Sequence, residues 1–224
     1  MNQKRISAPR TYNIKRKQSK WITRPHPGPH NKNAVPLSIV LKDMLQVARI
    51  TKEAKKILNE GKVLVDGVIR KDHRFPVGFL DVVSIPLLKK SYRMIYDTNG
   101  RYTTCLLKKN ESELKVVRIK GKARKGKKYQ LSTNDGRTIL VNLGTGKNYK
   151  VNDSLLIKVP SQEIVKHLPF KANSKAFITG GKHVGKEAIV SSESDSSVTI
   201  RIDGKEYRTI KDYVFVISDE VSVK

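Results

Sequence analysis

The chain has 224 residues, 46 Lys and Arg against 20 Asp and Glu, a formal net charge of +26, and a composition 38% hydrophobic but only 6% aromatic. Such an excess repels itself and calls for a polyanion, with nucleic acid the first expectation; a membrane surface is disfavoured, because no basic amphipathic helix with bulky apolar residues stands out and no apolar run approaches the roughly 18 residues of a spanning helix. The single cysteine, Cys105, excludes an internal disulfide and a cysteine-only zinc site and fits a reducing, intracellular setting, and no apolar segment of a secretory signal follows the basic start.

Residues 1–35 read as an extended basic arm. It holds Lys4, Arg5, Arg10, Lys15, Arg16, Lys17, Lys20, Arg24 and Lys32, and no acidic residue precedes Asp43. Few apolar residues and no sustained period mean that it is not expected to order by itself. Within Arg24-Pro25-His26-Pro27-Gly28-Pro29-His30 the prolines stiffen the backbone, lowering the cost of laying it along a groove. His26 and His30 are candidates for phosphate or base contact; metal ligation would need further ligands that the neighbouring sequence does not offer. Trp21 either stacks on a base, worth ~1–3 kcal/mol where it happens, or packs on the adjacent domain.

Residues 36–71 carry the strongest local pattern. Leu37, Val40, Leu41, Met44 and Leu45 recur at helical spacing after Pro36, which suits a first turn. Thr51 is the expected N-cap of a second helix, with Glu53 in its first turn and Ala54, Ile57 and Leu58 as its buried stripe. Gly61 fits just past its end. Val63-Leu64-Val65, Asp66-Gly67, Val68-Ile69 predicts a hairpin with a two-residue turn. Lys42, Arg49, Lys52, Lys55, Lys56, Lys62, Arg70 and Lys71 outnumber Asp43, Glu53, Glu60 and Asp66, which is either a solvated face or a polyanion-binding one. Phe75-Pro76-Val77-Gly78 predicts a turn and Leu80–Ile85 a short strand.

Residues 87–170 predict a β-rich, barrel-like middle domain, from short runs at Tyr92–Tyr96, Tyr102–Leu107, Leu114–Ile119, Tyr129–Leu131, Thr138–Val141 and Leu155–Val159. Lys120, Lys122, Arg124, Lys125, Lys127 and Lys128, with Gly121 and Gly126 among them, read as a flexible cationic loop suited to phosphate. Gly144-Thr145-Gly146-Lys147 resembles a phosphate loop but lacks its spacing and its Gly-Lys-Ser/Thr, so nucleotide hydrolysis is rejected. In residues 171–224, Gly180-Gly181-Lys182-His183-Val184-Gly185-Lys186 joins two apolar runs. It is either a structural turn or a phosphate contact in which glycines allow close approach and Lys182, His183 and Lys186 supply cation and donors. Glu193, Asp195, Asp203, Glu206, Asp212, Asp219 and Glu220 predict a face of this unit turned from the polyanion, toward a protein neighbour.

Three resemblances follow from these residues. Glu53-Ala54, Ile57-Leu58, Gly61, Val63, Val65 and Asp66-Gly67 resemble the small RNA-binding domain named after ribosomal protein S-four, in which an αα-hairpin and a β-hairpin dock on structured RNA; Arg49-Ile50 departs from the small residue or glycine common before the second helix. Ala176–Val190 resembles a KOW motif of an SH3-like barrel. In order along nearly the whole chain, Pro25-x-Pro27-Gly28-Pro29-His30, Phe75-Pro76-Val77-Gly78, Ser84-Ile85-Pro86, Asn134–Arg137, Gly180–Gly185 and Asp212–Ile217 resemble the archaeal and eukaryotic small-subunit ribosomal protein family S-four-e, archaeal in type.

That resemblance implies an α+β multidomain chain: an arm at 1–35, an S-four-like domain at 36–86, a β-rich domain at 87–170 and a KOW barrel at 171–224. It implies a structural constituent of the cytoplasmic small ribosomal subunit, bound to small-subunit rRNA and neighbouring ribosomal proteins, with no cofactor, membrane or small-molecule substrate. An RNA-modifying enzyme with an appended S-four-type domain is the first alternative. It is disfavoured because no paired carboxylates, Cys/His pair or metal cluster appears. A free RNA-binding regulatory factor is the second.

Overall fold

The computed structural model describes residues 2–30, 33–108, 111–194 and 197–222, so Lys32 and Asp195 lie outside the described residues. The chain forms two compact units, one of Met1–Ile95, Arg101–Glu113 and Ser222–Lys224, the other of Tyr96–Gly100 and Leu114–Val221. It is mostly β, with few helices.

The first unit opens with β1 (Asn2–Lys4) paired antiparallel with β2 (Trp21–Thr23). The arm is therefore folded back on itself rather than extended. Ala8, Tyr12 and Ile22 are buried, Tyr12 Oη donates to Ala34 O at 2.7 Å, and Tyr102 N donates to Thr11 O at 2.8 Å. A few apolar side chains, too sparse to show a period, order the segment once tertiary partners cover them.

A short ladder joins β3 (Val35–Pro36) to Pro76–Val77. Helix α1 (Leu37–Ile39) runs on as a wider π-wound stretch, Val40–Met44, closed by Leu45 N donating to Val40 O at 2.9 Å. Leu37, Val40 and Leu41 are wholly buried, as their spacing predicts. Helix α2 (Thr51–Asn59) is capped by Ile50, not by Thr51. Isoleucine offers no cap oxygen, so Glu53 Oε2 reaches back to Arg49 N at 2.8 Å and Ile50 N at 3.4 Å. Ala54 and Leu58 are fully buried beneath α2. Gly61, with φ of +72°, ends the helix in the left-handed region.

Strands β4 (Leu64–Val65) and β5 (Val68–Ile69) form the expected hairpin, with Asp66 and Gly67 both at positive φ, +51° and +76°. After β6 (Pro76–Val77) come β7 (Val82–Ile85), β8 (Lys90–Tyr96) and β9 (Tyr102–Leu106), giving the sheet order β5-β4-β7-β8-β9. A boundary after residue 86 would cut this sheet, because Val82 to Ile85 pair with Arg93 to Lys90. Residues 90–106, grouped by sequence with the middle, thus complete the sheet begun by the hairpin. Arg93 lies fully buried in β8, donating to Glu111 O and Ser222 O at 3.0 Å each; burial pushes its guanidinium down to about 10 against the opposing charge of Glu111.

The second unit carries two antiparallel five-stranded sheets. The first contains β10 (Leu114–Lys125), β11 (Lys128–Thr133), β12 (Thr138–Asn142), β13 (Ser154–Lys158) and β14 (Glu163–Leu168), in the order β12-β11-β10-β13-β14. Its core is Val117, Ile119, Leu131, Ile139, Leu155, Ile157 and Val159. The second contains β15 (Lys175–Ile178), β16 (Glu187–Glu193), β17 (Ser197–Ile202), β18 (Lys205–Ile210) and β19 (Val214–Val216), in the order β18-β17-β16-β15-β19. Ala176 and Ile178, Ala188 and Val190, Val198, Ile200 and Ile202, and Val214 and Val216 alternate inward, the period of a half-buried sheet.

Among the described residues, five of the acidic residues near the C-terminus are each paired with a cation. Glu193 pairs with Lys211, Asp203 with Lys186 at 3.9 Å, Glu206 with Arg201 at 3.2 Å, Asp219 with Lys175 at 3.2 Å and Glu220 with Lys166 at 3.4 Å.

Candidate nucleic-acid interface

In the first unit, packing divides the basic residues into two kinds. Three of the arm's candidates are engaged within the protein, Arg5 and the His30 ring buried and Arg16 half-buried. Arg5 is 2% exposed; its Nε donates to Lys15 O at 2.6 Å and its guanidinium also meets Ser19 Oγ at 3.3 Å and Asp43 at 3.5 Å. Arg16 donates to the carbonyls of Ile6, Ala8 and Pro9. His30 buries its ring, with Nε2 2.8 Å from Asp81 Oδ1. All three staple the folded arm, because a planar donor fork or an imidazole is matched to acceptors of the protein itself. Lys4, Arg10, Lys15, Lys17, Lys20 and Arg24 are exposed and, among the described residues, unpaired with any carboxylate. His26 is exposed, 3.6 Å from Asp72.

On the helical part, Arg49, Lys52, Lys55, Lys56 and Lys71 point to solvent. Lys42 pairs with Asp43 at 3.5 Å, Lys62 pairs with Glu60, and Arg70 stacks 4.4 Å from the Phe75 ring centroid. Trp21 is 52% exposed, with Lys20 Nζ 5.4 Å from its ring. It borders a cleft of about 250 Å³ whose walls include Ser38 and Lys42 of α1 and its continuation, Thr51 and Lys55 of α2, and His73. Burial, and then the Lys55 charge, holds the His73 imidazole below its ordinary value. Sequence reasoning picked out Trp21, Lys42 and Lys55 singly but missed Ser38, His73 and the cleft. The signal was present: Ser38 with Lys42 and Thr51 with Lys55 each place a hydroxyl and a cation four residues apart, on one helical face.

In the second unit the cationic loop is a β-hairpin. Lys125 pairs with Lys128 across Gly126-Lys127, and Gly126 has φ of +59°, which suits the first central position of a II′ turn. Lys120, Arg124, Lys125, Lys127 and Lys128 are exposed and, among the described residues, none is paired with a carboxylate. Lys122 differs. Its Nζ donates to Tyr149 O at 2.8 Å and Lys147 O at 3.2 Å and lies 4.5 Å from the Tyr129 ring, so it braces the sheet.

The glycines of residues 180–185 have internal reasons. A Cβ on Gly180 would fall 2.7 Å from the Tyr213 ring, and one on Gly185, at φ of +80°, 2.5 Å from the Asp97 carbonyl carbon. Close packing inside the protein is sufficient reason for glycine at 180 and 185. Lys182 is exposed beside His183, whose ring lies 4.2 Å from that of Tyr207. These residues border a pocket of about 270 Å³ that also includes Arg208, which sequence reasoning did not select. Lys186 is exposed but shared with Asp203.

Among the described residues, no group of three or more His, Cys, Asp or Glu side chains could hold a metal ion, and no helix is long and apolar enough to cross a membrane.

Fold and surface together define a basic, mostly β protein of several small modules. Its sequence matches the family described as Ribosomal family S4e over residues 88–164 and the RS4NT (NUC023) domain over residues 2–33. A protein named small ribosomal subunit protein eS4 from Archaeoglobus fulgidus is 44% identical, over 100% of this chain and 96% of the relative. Another of the same name, from Methanocaldococcus jannaschii, is 42% identical over 97% of this chain and 93% of that one. The crystal structure of the 30S ribosomal protein S4e from Thermoplasma acidophilum superposes with a TM-score of 0.72 at 32% identity, covering 86% of this chain and 99% of that one. The chain belongs to the S4e family of ribosomal proteins.

Proposed function

We propose that the chain is a structural constituent of the small ribosomal subunit and acts there by binding small-subunit rRNA. Its full-length relatives are named as small-subunit proteins, and the family is structural, so the chain is not an enzyme. Residues 36–86, whose sheet β8 and β9 complete, serve as the S-four-type RNA-binding domain, with α1 and α2 as its helical pair and β4–β5 as its hairpin. The C-terminal sheet serves as the KOW unit. Neighbouring ribosomal proteins complete the environment, in the cytoplasm.

One observation carries this reading. Five cations on the β10–β11 hairpin stand in solvent with no carboxylate partner among the described residues. Clustered like charges raise the energy of the free protein, and phosphate relieves it. Each phosphate neutralised releases roughly 0.7–0.9 of a counterion, which makes affinity salt-dependent. Folded modules read RNA by shape, while Lys and Arg position it on the backbone.

The test is the affinity of the full chain for small-subunit rRNA over a tenfold range of salt, with co-sedimentation on small subunits. A steep linear fall of log affinity with log salt, and retention on the particle after a high-salt wash, are expected. A flat response, or release of the whole population in the wash, overturns the reading.

A further inference from the structure

The cleft beside Trp21 has a composition that simple phosphate contact does not explain. Ser38 is 3% exposed, and its Oγ has no hydrogen-bond partner within the protein. Its backbone N–H is satisfied, donating to His73 O at 2.9 Å. A buried hydroxyl without a partner is unfavourable and rare in native structures. Ser38 is one of the residues lining a cleft of about 250 Å³, with its Oγ buried in the wall; the volume is that of roughly eight waters and smaller than a drug-sized site.

The walls are of two chemistries. Trp21 and Ile39 are apolar, and Trp21 is half-exposed at the edge. Lys42, Lys55 and the Thr51 hydroxyl are polar, and Thr51 opens α2, so the positive end of the helix adds to the two lysines. Lys42 is shared with Asp43 at 3.5 Å, leaving Lys55 as the less encumbered cation. A free phosphate would need only the cationic side. A duplex groove offers no base face for an indole. An unstacked nucleotide uses every part, since its base has a face to stack, an edge to hydrogen-bond and a phosphate to neutralise.

We infer that this cleft holds one unstacked nucleotide of the bound RNA, its base against Trp21 and Ile39, its edge on Ser38 Oγ, and its phosphate on Lys55 and Lys42. This deepens the rRNA-binding reading and rests on it.

Trp21 is the chain's single tryptophan, so its fluorescence reports on the cleft alone. The full chain is titrated with short single-stranded oligouridylate and oligoadenylate, with an RNA duplex of the same length, and with inorganic polyphosphate, while filter retention records total binding. Single strands quench Trp21; the duplex and polyphosphate bind without quenching it. Ser38→Ala weakens single-strand affinity about 3- to 10-fold, the value of one hydrogen bond, without lowering Tm, because it removes an unpartnered hydroxyl. Trp21→Ala, followed by filter retention, weakens it about 5- to 150-fold. Lys55→Gln, an exposed substitution, keeps the test open if Ser38→Ala folds poorly, and it too weakens the single-strand complex. If RNA is retained while Trp21 is silent, or is quenched equally by duplex and polyphosphate, the cleft does not hold a base and this inference falls, with general RNA binding intact. If no RNA is retained even at low salt, both fall.

Discussion

A Cβ placed on Gly78 would fall 2.1 Å from Cγ of His30, so the imidazole occupies the space that any other residue at 78 would need. The same ring sets its Nε2 2.8 Å from Asp81 Oδ1, and Asp81 Oδ2 accepts from Gly78 N at 2.8 Å. Two short motifs far apart in the chain, Pro27-Gly28-Pro29-His30 and Pro76-Val77-Gly78, are thereby one structural unit. Gly78→Ala is expected to cost about 1–3 kcal/mol, as overpacking does. His30→Ala is expected to cost about 1.5–3 kcal/mol, as loss of a buried hydrogen bond to a charged group does. Urea unfolding measures both. An unchanged midpoint for His30→Ala, with lowered RNA affinity, would return His30 to the RNA-contacting set.

The β10–β11 hairpin separates charge from folding. Lys125→Gln, Lys127→Gln and Lys128→Gln together should reduce the salt slope of RNA binding by about two to three, one phosphate contact each. Stability should stay within about 0.5 kcal/mol, since these side chains touch nothing buried. Lys122→Gln should do the opposite. It gives up the bonds to Tyr149 O and Lys147 O, costing about 0.5–1.5 kcal/mol while leaving the slope nearly unchanged. Salt titrations and melting curves on the two variants, the triple one and Lys122→Gln, separate the two effects.

Local rules made parts of this legible. The Asp66-Gly67 turn, the Gly61 helix end and the buried Leu37, Val40 and Leu41 each follow from a short-range requirement that the residues state on their own. Arg5, Arg10 and Arg16 show why the rest was hidden. In sequence they are alike, and only the fold decides that Arg5 and Arg16 meet carbonyls while Arg10 meets water. Residues 120–128 were misread for a related reason. Glycine and clustered like charge are poor strand formers locally, but the ladder of Lys122 to Lys125 with Leu131 to Lys128 overrides that preference. The Trp21 cleft draws on β2, α1, α2 and His73, four segments that no sequence window spans.

Tyr12 makes alkaline stability informative. Burial pushes its phenol up to about 12, above its ordinary value of 10.0, and its Oη donates to Ala34 O at 2.7 Å. The folded state holds this proton more tightly than the unfolded chain. The resulting stability is fully present below pH 10.0 and is lost as pH rises toward about 12. Tyr12→Phe should be less stable by about 0.5–1.5 kcal/mol at neutral pH, yet lose less than the parent between those two values. Urea midpoints across that range test it, and parallel losses in the two proteins would rule out Tyr12 as the group concerned.

Arg5 decides whether the first thirty residues are a folded part of the unit or an arm that orders only on RNA. Its guanidinium ties Lys15 O, Ser19 Oγ and Asp43 together from a site 2% exposed. Arg5→Leu keeps the buried volume largely apolar but leaves the Lys15 carbonyl and Asp43 without that donor. Removing one partner of a wholly buried pair costs about 3–5 kcal/mol. Asp43 retains 15% exposure and its contact with Lys42, so about 2 kcal/mol is the expected loss here, relative to that range. The loss should appear first as local opening, because β1–β2 is a two-stranded ladder of three residue pairs. Limited trypsin digestion of the RNA-free protein should therefore cut at Lys15, Lys17 and Lys20 much faster in Arg5→Leu than in the parent. Arg10→Gln, altering an exposed cation, should leave cutting at those sites unchanged. Equally rapid cutting in all three proteins would mean that the segment is open without RNA and that the arm is ordered by its partner.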